Sequence, residues 1–298
     1  MSNDQYTLTD PTKLYADIDT TAQSQPGAGL DAKLDNKAAL GDDTYRGSGR
    51  LEGRKALITG GDSGIGAATA IAFAREGADV AISYLPEEEE DAKNIVSLIE
   101  QAGRKAVALP GDLKDQQYCV DLVAKAVEQL GGLDILVNNG GKQQSCDSID
   151  ELTDEQFDDT FKTNVYAMFW ITKAAVKHLG PGSTIINTSS IQAYQPSENL
   201  LDYATTKASI NTFSKALAQQ LAPKGIRVNV VAPGPIWTPL QTAGGQPVED
   251  LPEFGEQTPL GRPGQPAELA PAFVFLASAE SSYVTGATIH VNGGMPTL

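Results

Sequence analysis

A tyrosine and a lysine stand four positions apart in the stretch Tyr203-Ala204-Thr205-Thr206-Lys207. Residues four apart occupy one face of a helix, so the two side chains can converge on the same ligand. A free phenol has a pKa of about 10 and is a poor base at neutral pH, whereas a nearby ammonium favours its charged form. This spacing therefore predicts proton transfer by Tyr203, with the Lys207 ammonium lowering the pKa of the phenol.

A glycine-rich turn, Thr59-Gly60-Gly61-Asp62-Ser63-Gly64-Ile65-Gly66, follows an apolar run and opens an alanine-rich helical pattern. Glycines let a backbone turn tightly and approach a pyrophosphate, whose charge the amides and the positive end of the helix can meet. Glycine-rich turns also occur where a helix only packs closely on a sheet. The order of strand, turn and helix nevertheless predicts a dinucleotide site.

The spacing of this turn, TGxxxGIG, resembles that of the short-chain dehydrogenase/reductase family. Three further motifs of the family occur in the expected order: Asn138-Asn139-Gly140, Ser190 ahead of the tyrosine and lysine, and Pro233-Gly234. The family usually has alanine where this chain has Gly140. The resemblance covers about residues 51–298. It implies an NAD(P)-dependent oxidoreductase that transfers a hydride between nicotinamide and a carbonyl or alcohol carbon.

The resemblance also assigns roles around the tyrosine. Ser190 would hydrogen-bond the substrate oxygen, with its neighbour Ser189 facing away, and Lys207 would also hold the nicotinamide ribose. Asn164 would bind a water that relays protons to the lysine, because the main chain of the family departs from regular helix geometry there. A merely solvent-facing asparagine is the simpler alternative at that position.

Two alternatives to this chemistry can be weighed from the sequence. Tyr194 is a competing phenol, but Glu198 rather than a lysine stands four positions further on, so a wall facing the substrate is its expected role. Enoyl reductases of the same superfamily separate their tyrosine and lysine by a longer gap, so the short gap here favours carbonyl chemistry over reduction of a carbon–carbon double bond.

A second set of residues would bind the cofactor according to the same resemblance. Besides the tyrosine and lysine, these are Gly60, Asp62, Ser63, Gly64, Ile65, Gly66, Tyr84, Leu85, Asp112, Leu113, Asn139, Gly140, Pro233, Gly234, Ile236 and Thr238. Roughly 20 positions after the glycine turn, an acid would select NAD and a base would select NADP. Tyr84-Leu85 stands there and provides neither determinant.

Nearby acids bear on the choice between the two cofactors. Asp62 and the acidic run 87–91 would repel the extra phosphate of NADP, although acids at the start of a helix are also explained by the helix dipole. The predicted cofactor is NAD or NADP, with NAD favoured.

The substrate is less well defined by the sequence. Positions relative to the motifs place Gln143, Gln192, Gln195 and Trp237 at the substrate pocket. The long polar N-terminal arm and the run 191–196 resemble a bacterial subgroup of stress-associated aldehyde reductases. A small aldehyde, ketone or sugar alcohol is the predicted substrate. The rival interpretation is a catalytically idle nucleotide-binding redox sensor or scaffold, since a fold alone does not establish a reaction; the complete set of catalytic residues argues against it.

Alternating short apolar runs and longer amphipathic segments must position these residues. Seven runs are predicted strands, at 56–59, 80–84, 106–109, 135–138, 184–188, 227–231 and 288–291. Helical patterns lie between them, near 64–76, 87–102, 115–130, 154–178, 202–221 and 266–279, and are long enough for the right-handed crossovers of a parallel sheet. The prediction is one α/β domain over residues 51–298, a Rossmann-type doubly wound parallel sheet of about seven strands with helices on both faces.

Two further segments fall outside this regular pattern. Residues 1–50 are polar without sustained periodicity and are predicted to be an N-terminal arm, which lies along a neighbouring subunit or stays disordered. Prolines and glycines interrupt residues 233–259, which predicts a long loop that serves as a substrate lid or, alternatively, a mobile surface excursion.

The composition excludes several other functions. The formal charge of −16 disfavours nucleic acids and anionic membranes, because polyanions need a basic footprint. Two histidines and two cysteines, in no metal-ligand spacing, predict no metal site. The absence of an apolar run of about 18 residues and of a recognisable signal peptide predicts a cytoplasmic protein. The apolar helical patterns at 153–178 and 202–221 resemble those that pair subunits in the family and predict a homotetramer.

Overall fold

The strands form a single parallel sheet in the computed structural model, which describes residues 4–297. In chain order they are β1 (Lys55–Thr59), β2 (Asp79–Tyr84), β3 (Ala106–Pro110), β4 (Ile135–Asn138), β5 (Thr184–Thr188), β6 (Arg227–Pro233) and β7 (Thr288–Val291). Their spatial order is β3-β2-β1-β4-β5-β6-β7. Strand β1 therefore lies between β2 and β4, and such a switch in strand order opens a crevice at the carboxyl ends of a parallel sheet.

Helices provide the crossovers between the strands. They are α1 (Gly64–Arg75), α2 (Glu89–Gln101), α3 (Gln116–Leu130), α4 (Asp154–Phe161), α5 (Ala167–Ala175), α6 (Leu201–Leu221) and α7 (Pro266–Ala277). The helix predicted at 154–178 is not continuous, because a π-helical turn, Lys162–Tyr166, joins α4 to α5. Within the described residues, no helix is long and apolar enough to cross a membrane.

Neighbouring residues of the central strand β1 are buried on opposite faces of the sheet. Ile58 belongs to one apolar cluster with Phe73 of α1 and Phe273 of α7, whereas Leu57 belongs to another with Leu122 of α3. Burial on both faces explains why the strands are continuous apolar runs rather than alternating patterns. The predicted doubly wound parallel sheet, with helices on both faces, is confirmed.

The N-terminal arm packs on the domain of its own chain. Tyr45 Oη donates a hydrogen bond of 2.7 Å to Glu76 Oε1 just after α1, and Arg50 Nη2 lies 2.6 Å from the same oxygen. Leu34 is buried in a small cluster with Trp237 and Leu251. These contacts correct the expectation that the arm lies along a neighbouring subunit or stays disordered. Its lack of apolar periodicity has another reason: hydrogen bonds and a few buried side chains hold it, not an amphipathic face.

Candidate active site

A cleft of about 780 Å³ opens at the carboxyl ends of β1, β4 and β5, within the size range of cofactor and substrate sites. Every predicted catalytic, cofactor and substrate residue lines it except Gly66, Asn164 and Trp237. The loops that follow six different strands, β1 to β6, thus bring together motifs that are far apart in the chain. These side chains meet because the carboxyl ends of parallel strands share one edge of the sheet.

The glycine turn forms one end of the cleft at the start of α1. Gly64 adopts φ +50, in the left-handed region, and a Cβ there would lie 3.0 Å from Thr238 Cγ2. Gly66 packs instead of facing the cleft: a Cβ there would lie 1.7 Å from the Gly60 carbonyl oxygen, so only glycine lets the helix close on the turn. A glycine-rich backbone at the positive end of a helix fits the pyrophosphate of a dinucleotide.

The side chain of Asn139 joins the turns after three strands. Its Nδ2 donates to the carbonyl oxygen of Gly60 at 3.1 Å, and its Oδ1 accepts from Thr188 Oγ1 at 3.3 Å. Thr59 Oγ1 in turn accepts the backbone N–H groups of Asn139 and Gly140 at 3.0 and 2.9 Å. These bonds fix the floor of the cleft.

Tyr203, Ser190 and Lys207 meet at the centre of the cleft. Tyr203 is in the first turn of α6, is 7% exposed, and lies beside the Ser190 hydroxyl in the cleft wall. Lys207 follows one turn later; its Nζ lies 5.3 Å from the centroid of the Tyr203 ring and donates to the carbonyl oxygen of Thr188 at 3.0 Å. Ser189 turns away, as predicted, and donates to the Lys207 carbonyl oxygen at 2.9 Å.

The protonation of this pair differs from the sequence-based expectation. Burial raises the pKa of Tyr203 to about 12, and the nearby Ser190 hydroxyl offsets this only in part. Burial lowers the pKa of Lys207 to about 8. The predicted lowering of the phenol pKa by the ammonium is therefore wrong in this geometry, because Lys207 Nζ is directed to the Thr188 carbonyl oxygen rather than to the phenol oxygen. At neutral pH Tyr203 is a protonated phenol, placed to act as an acid.

Asn164 lies in the π-helical turn between α4 and α5, so the predicted departure from regular helix geometry is present. Its Oδ1 accepts from the Lys142 backbone N–H at 2.7 Å, and its Nδ2 donates to the Lys142 carbonyl oxygen and to Thr206 Oγ1. Asn164 is buried, which rules out the solvent-facing alternative. It lines a second cavity, of about 10 Å³, together with Lys207 and Thr188. That volume is close to the smallest that holds one water molecule.

Two of the residues expected near the substrate lie elsewhere. Trp237 is fully buried, and its Nε1 donates to the carbonyl oxygen of Asn36 in the arm at 2.8 Å. It anchors the arm, so its assignment to the substrate pocket is wrong. The Tyr194 ring packs edge-on against His290, with 4.9 Å between the centroids, and is not part of the cleft wall. Local sequence position cannot reveal either outcome, because both depend on distant partners.

Gln241 and two arm residues are cleft residues that the sequence analysis missed. Gln241 is 8% exposed, and its Oε1 is buried without a hydrogen-bond partner. Gly27 and Ala28 of the arm also line the cleft. Glutamines recur in the loop after β6, which was a usable signal for a polar pocket. Nothing in the local pattern of the arm indicates a cleft.

Comparison with known proteins identifies the family. A family model described as enoyl-(acyl carrier protein) reductase matches residues 60–296. The uncharacterized oxidoreductase YghA of Escherichia coli is 58% identical over 287 residues, which cover 96% of this chain and 98% of that protein. The chloroplastic NADPH-dependent aldehyde reductase 1 of Arabidopsis thaliana is 42% identical over 277 residues, which cover 91% and 95%.

A solved structure agrees with these sequence relatives. The short-chain dehydrogenase from Burkholderia cenocepacia, in complex with NADP, superposes with a TM-score of 0.77 and 35% identity, covering 82% of this chain and 98% of that one. The chain belongs to the short-chain dehydrogenase/reductase family, as its motifs predicted. It is an oxidoreductase of a family whose members bind a nicotinamide cofactor.

Proposed function

We propose that this protein interconverts a carbonyl compound and its alcohol with a nicotinamide dinucleotide, using Tyr203 as the acid and base. The observation that carries the proposal is the buried Tyr203–Ser190 pair, with Lys207 one helical turn away, at the centre of a cleft that fits a dinucleotide. A bound nicotinamide would supply or accept the hydride. The protein itself must then bind the substrate oxygen and move its proton.

Tyr203 and Ser190 would hold the substrate oxygen between them. Ser190 donates a hydrogen bond that strengthens as negative charge develops on the oxygen. The raised pKa of Tyr203 keeps the phenol protonated at neutral pH, so it can deliver its proton as the alcohol forms. In the reverse direction Tyr203 would remove that proton, a step that a high phenol pKa makes harder near neutrality.

A proton must return to Tyr203 after each reduction. Lys207, whose pKa is lowered to about 8, can lose and regain a proton near neutral pH. The small cavity shared by Lys207 and Asn164 can accommodate the water that the relay requires. We therefore propose that Asn164 positions the water of this relay and does not contact the substrate.

We propose that NAD(H) is preferred to NADP(H), although the relatives described above include an NADPH-dependent enzyme and a structure with NADP. Lys114 and Lys142, on the cleft wall, both pair with Asp159, which therefore competes with a 2′-phosphate for them. Burial raises the pKa of Asp62 well above its ordinary value and that of Glu88 to about 7. These acids thus carry less charge than the sequence suggests. The proposed preference for NAD(H) therefore rests on the lack of an unpaired basic side chain for the 2′-phosphate among the described residues of the cleft.

The substrate we propose is small, neutral and hydroxylated, such as a short sugar or its polyol. Seven glutamines line the cleft: Gln143, Gln144, Gln192, Gln195, Gln241, Gln246 and Gln257. Amide side chains both donate and accept hydrogen bonds and carry no charge, so they suit hydroxyl groups better than carboxylates or phosphates. The unpartnered Oε1 of Gln241 needs a donor, since a buried acceptor without one is costly.

The test is a screen of NADH and NADPH oxidation with matched pairs of carbonyl compounds. Glyceraldehyde and dihydroxyacetone should be reduced with kcat/KM at least about tenfold above propanal and acetone, which lack the hydroxyl groups that would donate a hydrogen bond to Gln241 Oε1. Gln241→Leu should remove most of this preference, whereas Gln129→Leu, at an exposed glutamine of α3 outside the cleft, should keep it. A conjugated enone belongs in the same screen. Turnover of the enone alone, or none with any substrate, would contradict the proposal.

We also propose a homotetramer assembled through α4, α5 and α6. Phe157, Tyr166 and Phe169 are exposed aromatic residues on or between the first two of these helices. Contiguous exposed apolar side chains often mark contact surfaces between proteins. Light scattering at micromolar concentration should give a tetrameric mass; a monomeric mass would contradict the assembly.

A further inference from the structure

The arm supplies a wall of the cleft that no family motif contains. Gly27 and Ala28 line the cleft together with the glycine turn and the loop after β6. They belong to residues 25–36, a segment that we call the cleft strap. The family model begins only at residue 60, so the strap lies outside the part of the chain that defines the family.

One side of the cleft strap is attached to the nucleotide half of the domain. Asp31 Oδ2 accepts the backbone N–H of Gly64, the first residue of α1, at 2.8 Å. The backbone N–H groups of Asp31 and Ala32 donate to the Asp91 carboxylate of α2, at 2.6 and 3.0 Å. The strap is thereby held at the turn that would receive the pyrophosphate.

The other side of the strap is attached to the loop after β6. The backbone N–H of Gln25 donates to the Thr242 carbonyl oxygen at 2.8 Å, and Trp237 Nε1 donates to the Asn36 carbonyl oxygen at 2.8 Å. Between these two points Gly29 packs so closely on the loop that a Cβ would lie 2.9 Å from the Pro239 carbonyl oxygen. The strap therefore bridges the two walls of the cleft.

The strap is also braced internally. Gln25 is 7% exposed, and its side chain closes a ring with Leu30: Oε1 accepts the Leu30 backbone N–H at 2.8 Å, and Nε2 donates to the Leu30 carbonyl oxygen at 3.2 Å. A segment fixed in this way couples the position of one cleft wall to that of the other. A free loop at this place would have to be ordered each time a ligand bound.

The carboxyl groups near the strap repel a pyrophosphate less than their number suggests. Burial raises the pKa of Asp31 to about 7 and that of Asp62 well above its ordinary value. Near neutral pH these groups are therefore protonated in part, and their charge is smaller than their number suggests. The contacts that matter for the strap are its hydrogen bonds and the close approach at Gly29.

We propose that the cleft strap is part of the dinucleotide-binding site, where it holds the loop after β6 in its binding position and slows release of the dinucleotide. The inference rests on the proposed function, because it assumes that the cleft takes NAD(H) or NADP(H). It assigns a binding role to a segment that the sequence analysis treated as an appendage.

A pair of glycine substitutions tests the strap. Gly29 and Gly49 have nearly the same left-handed φ, +77 and +80, so alanine imposes similar backbone strain at both. At Gly29 the new Cβ would meet the loop after β6, whereas at Gly49 no other atom lies within 4 Å. Gly29→Ala should therefore push the strap off the loop, and Gly49→Ala is its matched control.

Two measurements on these variants give separate answers. Without nucleotide, amide hydrogen exchange in residues 238–246 should rise in Gly29→Ala and stay native in Gly49→Ala. Stopped-flow titration with NADH should give a Kd about tenfold higher for Gly29→Ala, with most of the change in the dissociation rate, the scale of one or two lost hydrogen bonds. Equal Kd and dissociation rate in the two variants would overturn the inference, even if the loop exchanged faster.

A second pair guards against a folding defect in Gly29→Ala. Asp31→Ala removes the acceptor of the Gly64 N–H and should also speed NADH release, whereas Asp31→Asn keeps an oxygen there and should restore slow release. Native release from Asp31→Ala would overturn the inference. Failure of the native protein to bind either NADH or NADPH would instead overturn the proposed function, so the two failures are distinguishable.

Discussion

Helix α6 and the N-terminal arm both reach the cleft, but contacts of different range position them. Tyr203 and Lys207 lie one turn apart on α6, so the backbone of one helix sets their separation. The arm is positioned by contacts such as the bond between Trp237 Nε1 and the Asn36 carbonyl oxygen, 201 positions away in the chain. Changes on α6 should therefore alter turnover, whereas changes in the arm should alter cofactor binding and stability.

Removal of one oxygen from α6 should have the largest effect. Tyr203→Phe should lower turnover by roughly two to four orders of magnitude, because the proton donor is lost, while NADH affinity and thermal stability stay near native. The matched control is Tyr194→Phe, which removes a phenol outside the cleft and should keep full turnover. Comparable kcat values for the two variants would show that the acid is not Tyr203. The distinction between α6 as the source of turnover and the arm as a source of binding would then fail.

Ser190→Ala should rank second. It should reduce kcat by roughly 10²–10³-fold, the usual scale for loss of one hydrogen-bond donor to a developing oxyanion. Ser189→Ala, which removes only a bond to the Lys207 carbonyl oxygen, should mainly lower the melting temperature. If Ser189→Ala reduced turnover more than Ser190→Ala did, the roles of the two serines would have to be exchanged.

The pH dependence of reduction should report on Lys207. Burial lowers the pKa of Lys207 to about 8, and burial raises the pKa of Tyr203 to about 12. The protonated lysine is therefore present below about pH 8 and is lost as the pH rises through that value, while the phenol stays protonated. The reductive kcat/KM should fall about tenfold per pH unit above pH 8. Lys207→Met should abolish this fall in kcat/KM above pH 8. If the fall persisted in the variant, another group would be responsible for the titration.

An arm substitution remote from the cleft should have the smallest effect. Burial would raise the pKa of Glu76, but hydrogen bonds from Arg50, Tyr45 and Ser48 outweigh it and lower the pKa to about 2. Tyr45→Phe removes one of these bonds and should reduce the free energy of unfolding by about 1–2 kcal/mol, with kcat unchanged. Tyr6→Phe, at an exposed tyrosine of the arm, is the control and should leave stability native.

The free energy of unfolding at acidic pH gives a second test of the same variant. Because the pKa of Glu76 is lowered on folding, its contribution is complete above the ordinary carboxyl pKa and is lost as the pH falls towards 2. Urea unfolding from pH 6 to pH 2 should therefore show a smaller loss for Tyr45→Phe than for the native protein. An unchanged profile would mean that Tyr45 does not stabilise the Glu76 carboxylate.

Most of the fold could be predicted because its signals are local. The strand β4 begins and ends as expected, since a run buried on both faces is continuous and apolar. The helix predicted at 154–178 begins as expected, but a π-helical turn interrupts it and it ends at Ala175. The π-helical turn at Asn164 depends on hydrogen bonds between the Asn164 side chain and the Lys142 backbone. The apolar periodicity of the sequence cannot predict such bonds.

The sequence by itself determined the family, the parallel sheet and the spacing of Ser190, Tyr203 and Lys207, because each of these follows from local patterns that a strand or helix repeats. The tertiary structure alone decided the pKa of Tyr203, which depends on burial and on where the lysine points, the position of Trp237 behind the cleft, and the attachment of the arm across it. Burial and hydrogen bonds between segments hundreds of residues apart arise only when the chain is folded, so they leave no periodic signal in the sequence.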